Sequence, residues 1–155
     1  MPSQVRLRPA EASDAHLLFE FLNREDSLAG KQETREPIPW EDHQRWFANR
    51  LHDPHCLIFV ILAEGDRPAG QVRLEEKGHG HEVDIYVDSG FRGQGIAAAA
   101  IEQAMARLTR EEPSATVIAA VKESNAPSLA LFRALGFQEV ERHDGFVHFL
   151  AGSSR

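Results

Sequence analysis

The most restrictive stretch of this chain is residues 81–97, where one periodicity gives way to another across two glycines. His81-Glu82-Val83-Asp84-Ile85-Tyr86-Val87 alternates strictly, which predicts a strand with Val83, Ile85 and Val87 on one face and Glu82, Asp84 and Tyr86 on the other. The turn Asp88-Ser89-Gly90-Phe91-Arg92-Gly93-Gln94-Gly95 follows. From Ala97 onward Ile101, Ala104, Met105 and Leu108 fall at helical spacing, until Glu111-Glu112-Pro113 ends the pattern. A helix that begins directly after glycines offers outward-pointing backbone N–H groups and the positive end of its dipole, and the glycines let an anion approach that backbone. Residues 92–97 are therefore a candidate diphosphate cradle, with Arg92 as a fixed cation. A Walker loop is excluded, because no Lys-Ser or Lys-Thr pair follows the second glycine. The dinucleotide fingerprint fails because Ala98 stands where its third glycine belongs.

Around this step the chain alternates between short strands and amphipathic helices. Residues 5–8 read as a strand, and Leu17, Leu18, Phe21 and Leu22 recur at helical spacing. Residues 23–39 are polar, carry Gly30, Pro37 and Pro39, and form a long connection of the kind that often carries function. A helix over residues 40–51 puts Trp40, His43, Trp46, Phe47 and Leu51 on one face, with Asp53-Pro54 as its stop. The apolar run 56–63 and residues 69–74, separated by a turn at 64–68, predict an antiparallel hairpin. Residues 116–121 predict a buried strand. Ser124 or Asn125 then caps a helix with Pro127 in its first turn, Leu129, Phe132 and Leu135 inward, and Gly136 as terminator. Residues 137–142 and 146–150 flank His143-Asp144-Gly145 as a second hairpin. No internal repeat is present. The expectation is one domain over residues 1–151 with a frayed tail at 152–155.

Bulk properties exclude several function classes. A formal charge of −7 over 155 residues disfavours a sequence-independent grip on nucleic acid, which needs clustered cations. Cys56 stands alone, so no intrachain disulfide forms, and with His55 it lacks the further ligands of a zinc site; no metal is expected. No apolar stretch approaches a membrane span and the first residues lack a secretory pattern, so the expected location is cytoplasmic.

Arg92-Gly93-Gln94-Gly95-Ile96-Ala97 resembles the pyrophosphate turn of the GNAT superfamily of acyl-CoA-dependent N-acyltransferases: Arg or Gln, two residues, Gly, one residue, then Gly or Ala. A second block agrees. Asn125-Ala126-Pro127-Ser128-Leu129-Ala130-Leu131-Phe132-Arg133-Ala134-Leu135-Gly136-Phe137 is similar to the family's later helix, with its initial Asn and closing Leu-Gly-Phe. The resemblance implies an α/β (α+β) fold, a mixed and strongly twisted sheet of about seven strands with helices on both faces. It further implies that the strand ending at Val87 and the strand 116–121 splay apart to leave a cofactor cleft. Acetyl-CoA would enter as co-substrate, its pantetheine pairing with the backbone of Ile85, Tyr86 and Val87, its diphosphate on Arg92 through Ala97, and its other wall formed by Asn125, Ser128 and Phe132.

Acyl transfer to an amine needs a deprotonated nucleophile, donors for the developing oxyanion and a proton for the leaving thiolate. Glu82, and after it Asp84, occupy the strand on which some GNAT relatives carry a catalytic carboxylate. Direct attack is common in the family, so Cys56 is not the expected nucleophile. Phe132 stands where many relatives have a Tyr that protonates the thiolate; Tyr86, Ser128, water or the substrate's own ammonium proton would replace it.

The expected acceptor is a small primary amine, with an amino sugar, including a nucleotide-linked one, placed ahead of a protein N-terminus or an amino acid. That order rests on residues 23–51, where Trp46 would cover a sugar face and Arg24, Lys31 and Arg35 would meet a diphosphate. Two other classes remain: a catalytically silent acyl-CoA sensor, suggested by Phe132, and a module holding some other diphosphate at Gly93 and Gly95. Nucleic acid and membrane are not expected partners, and a homodimer is left open.

Overall fold

Strand β2, Cys56–Ala63, is buried along nearly its whole length, which explains why its sequence is a continuous apolar run with no alternation. Phe59, Ile61 and Ala63 enter one hydrophobic cluster, while Cys56, Ile58, Val60 and Leu62 enter another. A strand that feeds two clusters by alternate residues must lie inside a sheet covered on both faces. The computed structural model describes residues 4–24 and 37–151, and β2 indeed lies between β1 (Arg6–Pro9) and β3 (Arg67–Glu76), antiparallel to both.

The sheet has seven strands in the order β1-β2-β3-β4-β5-β7-β6, completed by β4 (His81–Val87), β5 (Val117–Lys122), β6 (Gln138–His143) and β7 (Phe146–Leu150). All neighbouring pairs are antiparallel except β4–β5, so the sheet is mixed as expected. Helices α1 (Ala15–Leu22) and α2 (Trp40–Leu51) cover one face; Leu18, Phe21 and Phe47 pack there with Tyr86. Helices α3 (Ile96–Glu111) and α4 (Ala126–Ala134) contribute Ile96, Ile101, Leu108, Leu129 and Phe132 to the opposite cluster.

Three details differ from the sequence expectation. The buried face of α3 is Ile96, Ala100, Ile101, Ala104 and Leu108, so it keeps Ile101, Ala104 and Leu108 of the predicted face and replaces Ala97 and Met105, the latter only partly buried, by Ile96 and Ala100. Alanines at 97–100 leave that choice undetermined in the sequence. Strand β3 starts at Arg67, two residues before the predicted start, because Pro68 enters the ladder opposite Leu62 at a register shift; a proline is tolerated at such an irregular strand end. Finally, α1 buries Leu18, Phe21 and Leu22 but not Leu17.

Gly70 is fixed by close approach: a Cβ there would stand 1.9 Å from the carbonyl oxygen of Tyr86, so β3 and β4 pair as they do only with glycine at this position. The β6–β7 hairpin closes on Asp144 (φ 55°) and Gly145 (φ 81°). Both central residues are left-handed, as the tight two-residue turn favoured by the twist of paired strands demands. No helix among the described residues is long and apolar enough to cross a membrane. The predicted tail 152–155 lies outside the described residues.

Candidate active site

Strands β4 and β5 are in register only at His81 with Val117 and Glu82 with Ile118. Beyond Glu82 they separate, although β4 continues to Val87 and β5 to Lys122. On their outer sides both remain paired, β4 with β3 as far as Val87 and β5 with β7 as far as Lys122, so the gap is a property of this one junction. A cleft of about 1180 Å³ occupies it.

Backbone direction along β4 follows from two hydrogen bonds. The N–H of His81 donates to Thr116 on the β5 side, and the N–H of Asp88 donates to Ala69 on the β3 side. Since backbone groups alternate along a strand, Val83, Ile85 and Val87 turn theirs toward the gap while Tyr86 turns its own toward β3. Of the three residues assigned to pantetheine, Ile85 and Val87 thus present peptide groups to the cleft. The carbonyl of Val87 already accepts from Arg92 Nε at 2.8 Å.

Tyr86 sends its side chain to the α1–α2 face, where the ring is buried against Phe21 and its hydroxyl donates to Asp88 Oδ1 at 2.8 Å. Arg24 Nε reaches the same oxygen at 3.3 Å. Arg24 therefore braces the end of β4, while Arg35 and Lys31 lie outside the described residues.

At the lip of the cleft Gly93 (φ 77°) and Gly95 (φ 75°) are both left-handed, and a Cβ on either would meet no atom within 4 Å. Gly95 is the N-cap of α3 and no side chain caps that terminus. Open space, backbone N–H groups and the dipole together suit a diphosphate. Ile96 buries its side chain in the core, so it can offer only its N–H; Ala97 lines the cleft, and Gln94 is exposed beside it. Across the gap Asn125 caps α4, its side chain accepting from the N–H of Ser128 at 3.2 Å. Both residues line the cleft. Phe132 reaches the cleft but is 3% exposed, packed edge-on to Phe137 and stacked near Phe149.

Glu82 and Asp84 share the α1–α2 face of β4, as alternation predicts, and each has its cross-strand neighbour on β3: Glu75 opposite Glu82, Arg73 opposite Asp84. Gln71 Nε2 donates to Asp84 Oδ2 at 2.9 Å, and Arg73 Nη1 lies 3.8 Å from the same oxygen. Glu75 stands between two guanidiniums, 2.9 Å from Arg50 Nε and 3.5 Å from Arg73 Nε. Neither Nε is aligned for a hydrogen bond, although both are buried. The ring of half-buried Trp46 lies beneath them, 5.6 Å from the guanidinium of Arg50 and 5.0 Å from that of Arg73.

Sequence reasoning passed over Arg50, Arg73, Glu75 and Asp88. The first three become a group only through the docking of α2 on β3. Asp88 follows β4 directly and could have been found as an acid at a strand end. Cys56 is buried, and burial pushes its thiol up to about 11, so it is a poor nucleophile at neutral pH.

Separated parallel strands with glycines and an uncapped helix N-terminus at the lip leave room for an extended ligand that carries a diphosphate. The model of the Acetyltransferase (GNAT) family matches residues 17–137, from within α1 to the residue before β6, and the chain belongs to that family. It is an acetyl-CoA-dependent N-acetyltransferase. Over 144 residues it is 28% identical to the "Putative phosphinothricin acetyltransferase YwnH" of Bacillus subtilis (strain 168), covering 87% of this chain and 85% of the relative. Its fold is shared with a domain from Methanocaldococcus jannaschii DSM 2661 (TM-score 0.84, 19% identity, 96% of this chain and 98% of that one). It is also shared with spermidine N-acetyltransferase from Vibrio cholerae solved with CoA and spermine (TM-score 0.82, 18% identity, 95% and 93%).

Proposed function

We propose that the enzyme acetylates the primary amine of a small zwitterion, an amino acid or close analogue carrying a carboxylate or phosphinate. The observation behind this reading is the pair Arg50 and Arg73, two guanidiniums that line the cleft with both lying over the ring of Trp46. Each is ion-paired through Nε to Glu75, and with five N–H donors apiece they can also take an anionic group of the acceptor. Glu82 and Asp84 on the neighbouring strand suit the ammonium of the same molecule. The similarity to a protein described by phosphinothricin, an amino acid ending in a phosphinate, points the same way.

The amino-sugar expectation leaned on cations of the long loop; Arg24 is held by Asp88, and Arg35 and Lys31 lie outside the described residues. Trp46, the remaining support, carries guanidiniums close to its ring, an arrangement suited to an anion.

In this reading acetyl-CoA supplies the activated acetyl group. Gly93, Gly95 and the first N–H groups of α3, with Arg92, hold the diphosphate, and the N–H of Ile85 or Val87 faces the thioester. Asn125 and Ser128 bound the opposite wall. Glu82 takes the ammonium proton, directly or through water, and Asp84 is oriented by Gln71 and Arg73. The test is free-thiol release from acetyl-CoA with phosphinothricin, glutamate, spermidine, glucosamine and a short peptide as acceptors. Turnover is expected with the first two. Efficient turnover of glucosamine or the peptide, and of neither amino acid, overturns the zwitterion reading.

A further inference from the structure

A second cluster of ionisable groups lies away from the cleft, on the β6–β7 hairpin that ends the sheet. Glu141 and His143 are two residues apart on β6 and therefore share a face, and His148 on β7 is the register partner of Glu141. The two-residue turn at Asp144-Gly145 fixes that register. The rings of His143 and His148 stack with centroids 4.2 Å apart and planes inclined by 14°. One donor atom from each of Glu141, His143 and His148 lies within 4.8 Å of the other two. His148 Nε2 is buried and has no hydrogen-bond partner.

We propose that Glu141, His143 and His148 form a binding site for a divalent transition-metal ion of the zinc or nickel kind. Two imidazoles and one carboxylate are the donor set such ions prefer, whereas calcium and magnesium take oxygen donors. Bonds of roughly 2.0–2.2 Å to each donor place the donors about 3–4 Å from one another. The observed spread is slightly wider, and Glu141 and His143, with side chains 61% and 51% exposed, can close it by rotation.

The surroundings of His143 favour the role. Its Nδ1 lies 3.2 Å from Asp144 Oδ2, and its Nε2 lies 3.2 Å from Glu141 Oε2. A carboxylate that accepts from Nδ1–H holds the ring in the tautomer whose Nε2 lone pair faces the ion, an arrangement common behind metal-bound histidines. The ion would also give His148 Nε2 the partner it lacks. The sequence expectation of no metal rests on the surroundings of Cys56; the hairpin ligands become neighbours only once the turn has set the register.

The experiment is calorimetric titration of the untagged, chelator-treated chain with Zn²⁺ alone, and separately with Ni²⁺, near pH 7.5. One saturable site per chain is expected. His143→Ala should abolish it and Asp144→Asn should weaken it about tenfold, while His55→Ala, at an exposed histidine in the turn before β2, should leave it intact. The exposure of His143 lets its variant keep the fold, which an unchanged melting temperature without metal would verify. His148→Gln adds a second loss-of-site variant. Absence of saturable binding, or binding that survives His143→Ala, would mean that the cluster is an ion-pair network only and would overturn the proposal.

Discussion

Glu82 on β4 stands directly across the ladder from Glu75 on β3, on the same face of the sheet. Like charges so placed repel, and the guanidiniums of Arg50 and Arg73 beside Glu75 offset the repulsion. The two acids therefore differ: Glu75 is ion-paired with the arginines, and Glu82 is the acid proposed above as the base. Glu82→Gln is expected to lower kcat/KM about a hundredfold near pH 7, with recovery at higher pH as free amine accumulates. Glu75→Gln should act mainly on the acceptor's KM. A parental pH–rate profile in Glu82→Gln places the base elsewhere.

Gly95 separates two effects that are usually mixed. A Cβ there meets nothing of the protein, yet φ is +75°. Gly95→Ala should cost about 1 kcal/mol of stability through backbone strain and retain most of the rise in melting temperature caused by CoA. Gly95→Asp should remove that rise, because its carboxylate points into the space assigned to the diphosphate. Equal CoA-induced shifts in the parent and the Asp variant would show that the diphosphate lies elsewhere.

Cys56 offers a check on direct transfer. With its thiol held near 11 by burial, little thiolate exists at neutral pH. Cys56→Ala is expected to keep kcat within about twofold while costing roughly 1–2 kcal/mol of stability for the lost packing. A loss of turnover together with a trapped acetyl-cysteine would establish an acyl-enzyme instead.

How much of this was legible in the sequence depends on the range of the interaction. The strand 81–87, the turn at Gly93 and Gly95, and the cap Asn125 with Pro127 were readable because each is a local rule: alternation, positive φ, an uncapped N-terminus. Helix α2 appeared with its predicted bounds because His43 and Phe47 recur at helical spacing. What the residues do not announce by themselves is lateral. The separation of β4 from β5 was expected from the family resemblance alone, since it is carried by which neighbour each strand keeps. Arg73 and Glu75 share one face of β3, and Arg50 joins them only when α2 docks on the sheet. The hairpin ligands Glu141, His143 and His148 were equally invisible, since residues seven apart in sequence face each other only across a turn.

His43 carries the last prediction, a pH dependence of stability. It lies on α2, 1% exposed, stacked on Phe47 at 5.7 Å with planes inclined by 9°, and its Nε2 lies 3.0 Å from the carbonyl oxygen of Ala15. A carbonyl only accepts, so Nε2 carries the hydrogen and the ring joins α2 to the start of α1 as a neutral donor. Burial lowers its pKa below the ordinary histidine value, with His16 adding repulsion and the bond to Ala15 opposing the shift. The unfolded chain therefore binds a proton near pH 6.5 that the folded chain takes up only at lower pH. Stability from this group is complete above about pH 6.5 and declines as pH falls toward the folded pKa, with a slope of at most about 1.4 kcal/mol per pH unit. Asp14, whose carboxyl is held down by its hydrogen bonds with Arg8, adds a further loss in the same direction, at the lower pH where carboxylates protonate. His43→Gln keeps a donor for Ala15 and removes the titration. Denaturant unfolding between pH 5 and 7.5 should show a clear acid-side decline in the parent and a flatter profile in His43→Gln; identical slopes would mean that folding leaves the affinity of His43 for its proton unchanged.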